Sequence, residues 1–175
     1  IKNIQSPKVL HIATHGFYVE EKVNPNKELV GQNKASYPLL RSGLLLANGG
    51  EIFDESEVYE FNKQDGVLTA YEAMNLNLEN TDLVVLSACE TGLGEIELGE
   101  GVFGLQRSFV VAGADIVIVS LFKVSDVVTR ELMSNFYHIW NEGSSASTAF
   151  ISAKQELMKK YDNPMYWGAF MMLGE

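Results

Sequence analysis

The stretch Leu83-Val84-Val85-Leu86-Ser87-Ala88-Cys89-Glu90-Thr91-Gly92 decides how the chain is read. Its apolar first half predicts a buried strand over 83–88, and its polar, Gly-containing second half predicts an exposed loop. Cys89, the sole cysteine, falls at the break. A second run, Val9-Leu10-His11-Ile12-Ala13-Thr14-His15-Gly16, breaks in the same way and predicts a strand over 9–13. If the two strands lie parallel and end side by side, one imidazole and one thiol meet at one edge of the sheet. A nucleophilic thiol and a group that moves protons are the least that a cysteine peptidase needs.

Working outward, residues 17–42 are polar, carry Asn24-Pro25-Asn26 and Tyr37-Pro38, and predict a long loop. Leu44-Leu45-Leu46-Ala47 predicts a short strand. Residues 51–65 carry Glu51, Asp54, Glu55, Glu57, Glu60 and Asp65 against Lys63, an acidic loop or hairpin. Thr69-Ala70-Tyr71-Glu72 has the spacing of a capping box and predicts a helix from there to near Leu76. Val102, Leu105 and Phe109 recur at helical spacing over 101–112, and Gly113 ends that helix. Ile116 to Phe122 predicts a β-branched strand. Ser125 is placed to cap a helix whose apolar face is Val128, Leu132, Phe136 and Ile139, closed by Gly143. Another helix is predicted from about Thr148 to Tyr161, stopping at Asn163-Pro164, and a last strand over Tyr166 to Leu173. Strands alternating with helices predict an α/β fold with a mostly parallel sheet covered on both faces. Sites in such sheets form beyond the carboxyl ends of the strands, where His15 and Cys89 are placed.

Composition narrows the function. The 175 residues suit a single domain over 1–175 with a real core, and the first residue, Ile1, suggests a piece of a longer chain. A net charge of −10 argues against a nucleic-acid partner, which asks for a basic face. Phe109 to Phe122 is too short to span a bilayer and contains Asp115, so no membrane partner is expected. One cysteine cannot form an internal disulfide, which fits a cytoplasmic location. The glycines between Gly92 and Gly104 match no phosphate-binding pattern, and Glu95, Glu97 and Glu100 among them would repel phosphate. His11 and His15 have the spacing of a zinc helix but stand in a strand-like, apolar run, so His11 is expected to pack or hydrogen-bond within the sheet. His138 is read as an ordinary helix residue. No metal and no cofactor is called for. Gly16, behind His15, lets a carbonyl approach the backbone, and its N–H could stabilise an oxyanion together with that of Cys89.

The motifs taken together carry a family resemblance. Ala13-Thr14-His15-Gly16, the LVVLSACETGLG run from Leu83 to Gly94, Gly99-Glu100-Gly101-Val102-Phe103-Gly104-Leu105, Ala112-Gly113-Ala114, Ser120-Leu121-Phe122-Lys123-Val124-Ser125-Asp126 and Tyr166-Trp167-Gly168-Ala169-Phe170 stand in the order of a CHAT domain. The chain therefore resembles the caspase- and separase-like cysteine peptidases of clan CD, often fused to tetratricopeptide repeats in bacteria. The resemblance implies a caspase-like three-layer α/β sandwich. It implies His15 and Cys89 as a catalytic dyad, with the backbone N–H groups of Gly16 and Cys89 as the oxyanion hole. It further implies a protein or peptide substrate, an upstream repeat region or activating partner, and first strands of the sheet preceding Ile1. Ser87, Glu90, Lys123 and Asp126 are the candidate substrate-binding residues. Ser87 stands where metacaspase-type relatives carry an acid for a basic substrate side chain. Lys123 opposes a basic side chain there, while Asp126 and the net charge favour one. The reading is a hydrolase, an endopeptidase serving as effector domain of a larger regulated bacterial protein. Two alternatives stay open: a catalytically silent interaction module on the same fold, and a small-molecule hydrolase or acyltransferase using the same dyad.

Overall fold

The computed structural model describes residues 1–18, 38–47, 49, 66–87, 100–122 and 125–174. The large sheet is built from β1 (Val9–Ile12), β5 (Thr81–Leu86), β6 (Ala114–Ser120) and β7 (Phe170–Leu173), in the order β1-β5-β6-β7. β1, β5 and β6 run parallel, and β7 pairs with β6 in the opposite direction. The mostly parallel sheet with helices on its faces is the three-layer arrangement that the resemblance implies.

Alternate residues of the central strands enter two separate cores. Val84, Leu86, Val117 and Val119 face α1 (Ala70–Ala73) and α2 (Glu100–Val111), where they meet Ala70, Ala73, Leu105 and Phe109. Leu83, Val85, Ile116 and Ile118 face α3 (Asp126–Asn141) and α4 (Ala146–Lys160), where they meet Leu132, Phe136, Ala153 and Leu157. A strand buried on both faces cannot alternate with polar residues, which is why these segments read as unbroken apolar runs. Gly113, at φ 105°, ends α2 in the left-handed region, where a side chain would be strained and its Cβ would meet Glu79.

Before α1 the chain builds a second sheet, which the sequence reading did not contain. β2 (His15–Tyr18), β3 (Ser42–Leu45) and β4 (Val67–Thr69) pair antiparallel in the order β2-β3-β4. Phe17 and Tyr18 are thus strand and not loop, and Pro38–Leu40 form a single 3-10 turn. Ser42, also expected in the loop over 17–42, opens β3, while residues 19–37 and the acidic loop over 51–65 lie outside the described residues. Gly43 sits where Phe17 crosses β3: a Cβ there would collide with the Leu68 carbonyl oxygen and lie 2.9 Å from the Phe17 ring.

The capping box forms as its spacing predicts. Thr69 Oγ1 accepts from the N–H of Glu72, and Glu72 Oε2 accepts from the N–H of Thr69 at 2.9 Å. Its helix is one short turn region, Ala70–Ala73, and does not reach Leu76. Lys2 Nζ donates to the other Glu72 oxygen at 2.6 Å, tying the N-terminal segment to α1. Ser125 holds the N-cap position of α3 in extended conformation, but its side chain makes no capping hydrogen bond. The predicted strand over Tyr166–Leu173 divides in two. Asn163 caps a short helix, α5 (Pro164–Gly168), with proline in its first turn, and only Phe170–Leu173 is strand.

Candidate active site

Two parallel strands set the edge. β1 and β5 are neighbours with Ile12 level with Leu86. Past that pair the backbone N–H of Ser87 still donates to the Ile12 carbonyl at 2.9 Å. Both segments therefore leave the sheet at the same carboxyl edge, side by side. His15 and Cys89 stand at matching offsets along the chain from Ile12 and Leu86.

On the first exit, Ala13 and Thr14 turn the chain from the large sheet into the small one. The Thr14 hydroxyl donates to the Leu45 carbonyl, which pins this turn to β3. His15 then opens β2 opposite Leu45, with its side chain exposed, and Gly16 follows, buried, opposite Leu44. His15 thus starts a new strand and does not trail into a loop. On the second exit Ser87 is half-buried. Cys89 and Glu90 lie outside the described residues, as does Lys123.

Asp126 is the first residue of α3 and is exposed. A carboxylate in the first turn suits the positive end of the helix dipole. The segment joining β6 to α3 leaves the same carboxyl edge one strand further along, since Leu86 is level with Val119. Its first turn is closed by the Ser120 hydroxyl, which donates to the Phe122 carbonyl at 2.6 Å. The structure therefore gathers the segments bearing His15, Ser87 and Asp126 along one edge.

A polar cluster that the sequence reading did not assemble lies beside this edge. His11 is level with Val85, so its side chain falls on the α3 face of the sheet, diagonal to Ser87. His11 Nε2 is 3.3 Å from Ser87 Oγ. His11 Nδ1 is 3.0 Å from the hydroxyl of Tyr137 on α3, and the two rings lie 5.9 Å apart. Burial holds the His11 imidazole below the ordinary histidine range and pushes the Tyr137 phenol above its own. In its neutral form the ring can donate from one nitrogen and accept at the other. With both nitrogens engaged, His11 hydrogen-bonds as the sequence reading expected. Tyr137 was missed: one residue from Phe136 in an aromatic helix, only its tertiary placement reveals it. His138 is exposed and pairs with Glu142 at 3.4 Å. Among the described residues no group of three or more His, Cys, Asp or Glu side chains is placed to hold a metal ion. Among them, too, no helix is long and apolar enough to cross a membrane.

Comparison with known proteins fits this geometry. A family model described as "CHAT domain" matches residues 1–175. Tetratricopeptide repeat protein 28 of Homo sapiens is 32% identical over 113 residues, 63% of this chain. Its counterpart in Mus musculus is 30% identical over 110 residues, 62% of this chain. The matched chain spans 4% of the length of either relative.

Proposed function

Because the chain belongs to the CHAT-domain family, we propose that it is a cysteine endopeptidase domain acting through Cys89 and His15. The observation that carries this reading is the bond from the Ser87 N–H to the Ile12 carbonyl, which holds the two strand exits together. The Cys89 thiolate attacks the scissile carbonyl. The resulting oxyanion is held by the backbone N–H groups of Gly16 and Cys89. As the C–N bond breaks, the His15 imidazolium gives its proton to the leaving amine, and a thioester remains. Water then attacks the thioester, His15 takes its proton, and the C–S bond breaks to return the thiolate and release the acid.

Ser87, Glu90, Lys123 and Asp126 are assigned to substrate recognition around this dyad. We read residues 1–175 as one domain of a longer chain, since its relatives are far longer. They are named for tetratricopeptide repeats, and a repeat region that senses a partner is assigned to this protein on that basis. A reducing, cytoplasmic setting goes with a thiol that must stay free.

A second reading is supported by the same names, which refer to repeats and not to an activity: an interaction module without turnover. Intact mass after exposure to peptidyl acyloxymethyl ketones separates the two. The peptidase reading expects an adduct on the wild-type chain and none on Cys89→Ala. A wild-type thiol that iodoacetamide reaches, but that no peptidyl ketone modifies with or without candidate partners, would favour the interaction module.

A further inference from the structure

We propose that His11 is a positioning residue that clamps the exit of β5, and so the start of the segment bearing Cys89, by bridging Ser87 to Tyr137. The proposal rests on the peptidase reading for its consequence, but its geometry stands on described residues alone.

His11 lies on β1, whose only strand partner among the described residues is β5. From that neighbouring strand its Nε2 reaches Ser87 Oγ at 3.3 Å, while the Ser87 N–H is bound to Ile12 at 2.9 Å. Ser87 is therefore held twice by β1, once through its backbone and once through its side chain. The imidazole is itself fixed from the other side, by the Tyr137 hydroxyl at 3.0 Å. Tyr137 does not float: its ring lies 5.1 Å from buried Phe136 and 6.3 Å from Trp140. The line Phe136–Tyr137–His11–Ser87 thus runs from the α3 core to the last described residue before Cys89. Among the described residues, the side chains bonded to or stacked along this line are uncharged. An imidazole suits the task because it is rigid and carries hydrogen-bonding atoms at opposite ends. Misplacing a nucleophile by about an ångström can slow a reaction by as much as a hundredfold.

The two ring nitrogens can be removed one at a time. Glutamine places its amide near the position of Nε2 and keeps the reach to Ser87. Asparagine places its amide near Nδ1 and keeps only Tyr137. Two measurements on the full chain decide the matter: amide hydrogen exchange at Ser87, and the rate of Cys89 modification by a peptidyl acyloxymethyl ketone. His11→Asn is expected to raise Ser87 exchange and to slow modification by about tenfold. His11→Gln is expected to recover most of both. Tyr137→Phe, which leaves the imidazole in place, gives an intermediate loosening and serves if a His11 variant fails to fold. If Asn and Gln act alike, or if Ser87 exchange ignores His11→Asn, the clamp is wrong and His11 is packing. Should the wild-type chain accept no peptidyl ketone, it is the peptidase reading that fails. Ser87 exchange then still judges the clamp.

Discussion

The N–H of Ser87 donates to the carbonyl of Ile12 at 2.9 Å, one step beyond the last paired residues of two parallel strands. This bond extends the ladder past the paired strands to the last described residue before Cys89. The edge of a parallel sheet becomes a site because neighbouring strands deliver their loops at the same place. Two chain segments far apart in sequence, one leading to His15 and the other ending its described part at Ser87, are brought together by that edge.

Gly43 is where the small sheet is most easily broken. Gly43→Ala sets a methyl against the Leu68 carbonyl and the Phe17 ring. The expected cost is about 1–3 kcal/mol, as for other overpacked positions. Denaturant unfolding checks the stability. Because β3 also carries β2, the variant is further expected to lower peptidyl ketone labelling more than an equally destabilising change remote from the small sheet. An unchanged midpoint would mean that Phe17 swings aside freely.

Phe136 tests the other half of the molecule. Fully buried, it stacks on Trp140 at 5.7 Å and meets the edge of Phe150 at 6.2 Å. Phe136→Ala is expected to cost about 3–5 kcal/mol by emptying this cluster. Thermal or denaturant unfolding reads it directly. A loss below about 1 kcal/mol would mean that α3 and α4 collapse into the space.

Acid should act through His11. Burial holds its imidazole below the ordinary range, so the folded chain binds fewer protons there than the unfolded chain does. The stability of the neutral ring is complete above about pH 6.5, where the unfolded histidine titrates. It is lost as pH falls from there through the lowered folded value. Among the described residues, the groups hydrogen-bonded to the ring, Ser87 and Tyr137, are uncharged over this range. The wild-type Tm is therefore expected to drop more steeply between neutral and mildly acidic pH than that of His11→Gln. Parallel curves would show that this site plays no part in acid sensitivity.

The large sheet was legible because its strands announce themselves locally. The runs at 83–86 and 116–120 are long, apolar and β-branched, and Gly113 and the Thr69–Glu72 spacing mark helix ends by chemistry that needs no tertiary partner. Of the small sheet only β3 was legible, as the strand read over Leu44–Ala47. Its strands are only three or four residues long, and β2 finds its partner across a long intervening segment. Tyr166 and Trp167 misled in the other direction: aromatic residues suggest a strand, but Asn163 and Pro164 start a helical turn just before them. Asn163-Pro164 was read as a stop, whereas it both follows one helix and opens the next. Of the candidate site, the edge and the place of His15 were readable from strand endings. The bridge from Ser87 to Tyr137 was not, because only folding brings α3 over β1.

The turn at Ala13 and Thr14 has a mechanical meaning. His15 belongs to the small antiparallel sheet, while Ser87, the last described residue before Cys89, follows a strand of the large parallel one. The two sheets are thus separate rafts, lashed together by the Thr14 hydroxyl and by the short span of chain between Ile12 and His15. A force or a partner that slides one raft against the other is expected to shift His15 relative to Ser87 while leaving both residues chemically untouched.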